Sequence, residues 1–171
     1  MKRVVLTGSE STGKTALADR LAKHYDATLV PEFVRAYAAT LGRPIDFSDH
    51  GAIAHGQIAL EDQHIALEPA LLVQDTDLLS TVVYCNHYFG SCPAWISEAA
   101  SARRPDLYIM CDIDIPWVAD GVRDRGHARE EMQQLFRDAL TESGVPWLSI
   151  GGDAAERFAR ASHAIDNVIR D

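Results

Sequence analysis

Eight residues near the start of the chain, Gly8-Ser9-Glu10-Ser11-Thr12-Gly13-Lys14-Thr15, have the types and spacing that handle phosphate. They fit the pattern G-x-x-x-x-G-K-[ST]. Glycines at its two ends let successive backbone N–H groups curl inward around an anion, and a following helix adds its positive end. The expected phosphate contacts are Gly8, Ser11, Thr12, Gly13, Lys14 and Thr15. Lys14 would reach the β- and γ-phosphates of a nucleotide, and the Thr15 hydroxyl would ligate Mg2+. An ordinary Gly/Ser turn with a capping threonine is the plain alternative. The flanks favour the nucleotide loop: Val4-Val5-Leu6 reads as a strand before it and Ala16 to Ala22 as a helix after it.

Three further groups could join this loop in chemistry. Pro31 pushes Val30 toward extended geometry, so Glu32 sits near a strand end, with Arg35 three residues on. Glu32 is either a general base or acceptor of a substrate hydroxyl, with Arg35 a binder of substrate or phosphate, or the two form a solvated helix start. Asp75 ends another apolar run, where a Mg2+-supporting carboxylate belongs downstream of a phosphate loop. Asp77 is placed either to cap the helix from Leu78 or to touch a substrate hydroxyl. Finally, Arg123 and Arg125 lie between Gly121 and Gly126, the composition of a lid at about 119–130 that brings Arg to transferring phosphate.

Such residues must be held by a scaffold. Short apolar runs recur at Arg3–Leu6, Thr28–Val30, Leu71–Gln74, Leu107–Met110 and Trp147–Ile150, with helical patterns between them, among them Phe47–Glu68 and His127–Ser143. Strands alternating with helices imply a parallel sheet covered on both faces, with ligands beyond the carboxyl ends of the strands. The segment Tyr84–Gly90 and Pro93–Ile96 is densely aromatic and reads as core or as the wall of a pocket for a flat ring. Asp153 followed by Glu156 reads as a capping box.

Bulk properties narrow the field. The 171 residues suggest one domain, 1–171, able to bury its own core. A net charge of −9 argues against a nucleic-acid partner and requires any phosphate site to be locally basic. Three cysteines, Cys85, Cys92 and Cys111, without C-x-x-C spacing read as reduced thiols of a cytoplasmic protein, and no apolar run has membrane-spanning length. Cys85, His87 and Cys92 lack zinc spacing, and His50, His55 and His64 form no i,i+4 pair. No N-K-x-D guanine motif occurs, which argues against a switch GTPase. A small kinase using ATP and Mg2+ fits these features, and a nucleotide-dependent regulatory module is the alternative from another class.

Four segments in order, Gly8–Thr15, Pro31-Glu32-Phe33-Val34-Arg35-Ala36-Tyr37, Asp75-Thr76-Asp77 and Pro116-Trp117-Val118-Ala119-Asp120-Gly121-Val122-Arg123, resemble the ribosylnicotinamide kinase domain of NadR-type proteins. The resemblance covers nearly the whole chain. It implies an α/β phosphate-loop (P-loop) NTPase and nucleoside-kinase fold, a five-stranded parallel sheet with helices on both faces and a lid. It also implies phosphorylation of the ribose 5′-hydroxyl of nicotinamide riboside from ATP. Lys14, Glu32, Asp75 and Arg123 would then be the catalytic set, with Thr15 and Asp75 organising Mg2+ and Glu32 or Asp75 handling the acceptor hydroxyl. The acceptor would meet Glu32, Arg35, Asp77, Tyr88, Trp95, Trp117 and Asp120, and adenine would rest against Gly152 and Asp153. A cationic pyridinium over an aromatic face would gain about 0.5–2 kcal/mol.

Overall fold

The computed structural model describes residues 1–115 and 129–170. Trp117 and most of the expected lid, with Asp120, Arg123 and Arg125, lie outside them. The described chain runs β1 (Lys2–Thr7), α1 (Lys14–Tyr25), β2 (Thr28–Val30), α2 (Phe33–Leu41), α3 (His50–Ile65), β3 (Leu71–Asp75), α4 (Leu78–Phe89), α5 (Ala94–Ala102), β4 (Leu107–Cys111), α6 (Arg129–Ser143), β5 (Trp147–Ile150) and α7 (Ala154–Arg170). The five strands form one parallel sheet in the order β2-β3-β1-β4-β5. Strands thus fall where the apolar runs predict them, with β1 one residue longer at each end and β3 and β4 each one residue longer at the carboxyl end.

The sheet is buried on both faces, which is why its strands show no polar alternation. Val4, Leu6, Val73, Ile109 and Ile150 point to one side, against Leu17 and Leu21 of α1 and Ala161 and Ile165 of α7. Val5, Tyr108 and Met110 point to the other, against Val83 and Tyr84 of α4 and Met132, Phe136 and Leu140 of α6. A third, smaller cluster joins α3, α4 and α5 through Ala54, Leu78 and Ile96.

The expected long helix at 47–68 breaks into two parts. Phe47–Asp49 is a single 3-10 turn, and α3 follows from His50. The reason is a capping box: the Asp46 side chain accepts from the Ser48 N–H at 2.8 Å, and Asp49 returns a bond from the Asp46 N–H at 2.8 Å. Arg43 then grips Asp49 with both guanidinium nitrogens, at 2.7 and 2.9 Å.

Parallel order places every loop that leaves a strand's carboxyl end on one edge of the sheet. Those loops carry Gly8–Gly13, Glu32, Thr76–Asp77, Asp112–Ile115 and Gly151–Asp153. This edge is where a doubly wound sheet takes its ligands.

Candidate functional site

The loop after β1 has the backbone that phosphate binding needs. Gly8 has φ +117° and Gly13 φ +79°. A Cβ on Gly8 would stand 2.9 Å from the Cys111 carbonyl oxygen, so the first glycine is required by both conformation and space. Ser11, at φ +54°, shares the left-handed region. Gly13 caps the N-terminus of α1 without a side-chain bond, which leaves that end's backbone donors directed at the loop.

Lys14 is buried and folded over this loop. Its ammonium donates to the carbonyls of Gly8 at 3.1 Å and Ser9 at 2.6 Å and to the Thr12 hydroxyl at 3.3 Å. The Thr12 hydroxyl closes the turn on the Ser9 carbonyl at 2.9 Å. One turn along α1, the Thr15 hydroxyl donates to Asp75 Oδ2 at 2.6 Å. The residues expected to share a metal ion therefore meet, although sixty positions separate them.

Asp75 Oδ1 is buried and finds no hydrogen-bond partner among the described residues. Burial pushes the Asp75 carboxyl up, opposed by the Thr15 hydroxyl and Lys14, with the Glu32 charge adding to the rise. A carboxylate with one engaged oxygen and one orphan, beside a hydroxyl and a phosphate loop, suits a hard cation that keeps most of its water and phosphate ligands. Thr15 and Asp75 fit Mg2+ on that ground.

Glu32 opens α2, where its side chain is almost wholly buried and pairs with exposed Arg35 at 3.2 Å. The i,i+3 spacing read from the sequence thus forms the ion pair, and the Glu32 charge is close enough to act on Asp75. Asp77 meets the first of its expected descriptions, the cap of α4, and its other oxygen is taken by a hydroxyl of the protein itself. Its Oδ1 accepts from the Leu79 N–H at 3.1 Å and caps α4, while its Oδ2 accepts from the Tyr108 hydroxyl at 2.6 Å. Burial raises its pKa to about 6.

Asp77 also lines a cavity of about 320 Å³ between α2, α3 and α4. Tyr84, Tyr88 and Phe89 of α4, His50, Ile53 and Gln57 of α3, and Val34 with Pro44 and Ile45 complete most of its wall. Tyr88 and Tyr84 lie parallel at 6.1 Å. The aromatic segment is therefore both core and pocket wall: Tyr84 packs on Phe136 at 5.5 Å and its hydroxyl donates to buried Glu10 at 3.2 Å. Trp95 is not among the lining residues; it sits on α5, half-exposed and stacked on His55 at 4.4 Å.

Two arginines that the motif does not include hold the loop in place. Arg157 of α7 is buried and donates to the carbonyls of Thr12 at 2.8 Å, Gly152 at 2.9 Å and Asp112 at 3.0 Å, and it pairs with Asp114. Arg129 of α6 donates to the carbonyls of Ile115 at 3.0 Å and Ser11 at 3.3 Å. Gln133 bridges Ser9 N–H and the Cys111 carbonyl, at 3.3 and 3.0 Å. A signal for these was present: Arg157 stands four residues before Ala161 on the buried stripe of α7, and Arg129 stands on that of α6 with Met132 and Phe136. A polar residue on a buried stripe has to find partners inside.

Gly152 and Asp153 lie beyond β5. The Gly152 N–H donates to Asp114 Oδ2 at 2.5 Å. Asp153 caps α7 by accepting from Ala155 and Glu156 N–H at 2.8 and 2.9 Å, and Glu156 returns the bond at 2.8 Å, as the spacing predicts.

Sheet order, loop and strand-end carboxylate together define a P-loop domain of kinase-like topology. Residues 3–157 match the family model described as an AAA domain, and the chain belongs to that family. It is also 30% identical over 167 residues to the trifunctional NAD biosynthesis/regulator protein NadR of Escherichia coli and 28% identical over 176 residues to that of Salmonella typhimurium. These alignments span 94% and 99% of the chain but only 41% and 43% of the relatives, so the chain spans about two fifths of their length. Among solved structures, NadR in complex with NR superposes with a TM-score of 0.79 at 24% identity, over 99% of this chain and 50% of that one. NadR with NAD and AMP-PNP gives 0.82 at 23%, with the same coverage. Thymidylate kinase from Ehrlichia chaffeensis gives 0.70 at 13%, over 98% of both chains. The resemblance read from the four sequence segments stands in these comparisons. Among the described residues no helix is long and apolar enough to cross a membrane.

Proposed function

We propose that the chain transfers the γ-phosphoryl group of ATP to the ribose 5′-hydroxyl of nicotinamide riboside, giving nicotinamide mononucleotide. The observation that carries this reading is the Thr15–Asp75 contact at 2.6 Å at the same strand end as an aromatic-walled cavity. Nucleotide loop and acceptor-sized cavity thus share one edge of the sheet. The NadR relatives lend the choice of acceptor, because one of the matched structures holds NR and another holds AMP-PNP.

The roles follow from charge and position. The loop N–H groups and Lys14 would offset the triphosphate charge, and a site already folded would do so without reorganising during transfer. Thr15 and Asp75 would hold Mg2+, which supplies charge neutralisation at the β- and γ-phosphates. With Asp75 Oδ2 already engaged by Thr15, Glu32 is assigned the acceptor hydroxyl, taking its proton as the new O–P bond forms. Arg35 would fix the Glu32 carboxylate, and Asp77 would meet the sugar. Tyr88 would face the pyridinium from the cavity wall. Arg123 and Arg125 complete the proposal on the lid that closes over the reacting groups, Trp117 and Asp120 as further acceptor contacts, and Gly152 with Asp153 as the rest for adenine.

The test is ADP release from Mg·ATP with a panel of nucleosides. Nicotinamide riboside should support the fastest turnover, and Lys14→Ala should abolish it. A rate independent of every added nucleoside would refute the kinase reading, and faster turnover of another nucleoside would reassign the acceptor. Glu32→Gln should lower kcat far more than it raises KM; the reverse pattern would make Glu32 a binding residue.

A further inference from the structure

The acceptor cavity has two unlike ends. Ring contacts between His50 and Phe89, at 5.1 Å, set the start of α3 against the end of α4. Ala54, one turn further along α3, packs with Leu78 at the start of α4. Glu61 in turn shares Arg3 with Gln74 of β3, at 3.3 and 3.0 Å. The two helices therefore run in opposite directions. The end near His50, Tyr88 and Phe89 is aromatic and far from β3, and the end near Gln57, Thr76 and Asp77 is polar and beside it.

Gln57 stands at that inner end and is 4% exposed. Its Oε1 accepts from the Phe33 N–H at 3.2 Å, in the residue that follows Glu32. A backbone N–H can only donate, so this bond fixes which way the amide faces. The Nε2 group is left as a buried donor with no hydrogen-bond partner among the described residues, on a side chain that lines the cavity. Buried donors in folded proteins are nearly always satisfied, so one left over at a cavity wall points to a ligand oxygen.

We propose that Gln57 donates a hydrogen bond from Nε2 to a sugar hydroxyl of the acceptor, which makes it a specificity-determining residue for ribosides. This deepens the kinase reading given above and rests on it. The sugar must lie at the inner end, because its 5′-hydroxyl has to reach the γ-phosphate at the loop. The flat ring then takes the aromatic outer end. Gln57 thereby distinguishes ribonucleosides from deoxynucleosides by a donor that only an oxygen can satisfy.

The test pairs the residue with the hydroxyl. Nicotinamide riboside and its 2′-deoxy and 3′-deoxy analogues are compared for kcat/KM and for binding by calorimetry, in the wild-type protein and in Gln57→Met. In the wild type, removing one of the two hydroxyls should cost about tenfold or more, the size of one lost hydrogen bond that leaves a buried donor unmet. In Gln57→Met the riboside should lose about as much, the same deoxygenation should cost nothing further, and KM for ATP should hold. A purely structural role at Phe33 would instead weaken riboside and deoxyriboside alike. Equal deoxygenation losses in both proteins overturn the proposal, as does a wild type indifferent to both hydroxyls, which needs no variant to fold. Calorimetry separates the two levels. Hydroxyl-dependent binding that Gln57→Met abolishes, without turnover, upholds Gln57 and refutes the kinase, turnover without hydroxyl dependence does the reverse, and binding of none of the three overturns both.

Discussion

Replacing Asp75 by Asn should make the empty protein more stable while removing the part of its response to Mg·ATP that depends on Mg2+. Asp75 ends a wholly buried strand; one oxygen takes the Thr15 hydroxyl and the other is orphaned among the described residues. Burial raises the folded pKa above its unfolded value, so the ionised form opposes folding. The sign follows: the protonated carboxyl favours the native state at low pH, and that advantage is lost as pH rises through the folded pKa. At neutral pH an Asn, which keeps an acceptor for Thr15 and carries no charge, relieves the cost. The Asn Nδ2 still stands unpartnered at the orphan position, so only the buried charge is relieved, and a gain of about 1 kcal/mol raises Tm by about 2–4 °C in a chain of this size. Against this, ligand at one hundred times its Kd stabilises the wild type by about 2.7 kcal/mol. Thermal melts with no ligand, with ATP alone and with Mg·ATP separate the two effects. Asp75→Asn should melt higher than wild type when empty and show no increment from Mg2+ over ATP alone, with kcat lowered at least about a hundredfold. A variant that melts lower than wild type and keeps the full Mg2+ increment would refute the assignment of Asp75 to the metal.

Two other perturbations probe the frame around the site. Arg157→Met removes donors from three carbonyls and the ionic partner of Asp114; it should cost about 3 kcal/mol in urea unfolding and raise KM for ATP, and an unchanged midpoint would mean that Arg157 does not hold the loop. Asp77, with its pKa raised to about 6 by burial, takes up a proton on folding between about pH 4 and 6. Wild-type stability should therefore fall relative to Asp77→Asn as pH rises across that window, by up to about 3 kcal/mol, and stay level above it; parallel pH profiles would refute the shift.

The parts of the site that the sequence discloses are those whose chemistry is local. Gly8–Thr15 is a contiguous loop whose conformation its own glycines specify, so its pattern survives as text. The strands are legible for a similar reason: burial on both faces demands unbroken apolar runs. The Thr15–Asp75 contact is legible only in outline, because strand-end position says that both groups reach one edge but not that they touch.

Residues that serve the site from a distance are harder to see. Arg129, Gln133 and Arg157 act on backbone carbonyls, which carry no residue identity and leave no matching partner in the sequence. What betrays them is a polar side chain on a buried stripe. Gln57 is hidden further, because its role depends on one oxygen being taken by Phe33 N–H and one nitrogen being left over. The sequence reading of His50 illustrates the same limit. Its spacing says only that it forms no i,i+4 pair, whereas in the fold its Nδ1 bonds the Asp46 carbonyl at 3.1 Å and its ring walls the cavity. A break in the helix at Asp49 puts it there, since the capping box turns α3 so that His50, Ile53 and Gln57 share one face at helical spacing. In the proposed reading, acceptor choice thus depends on where α3 begins, six residues beyond Pro44, rather than on the phosphate loop that identifies the fold.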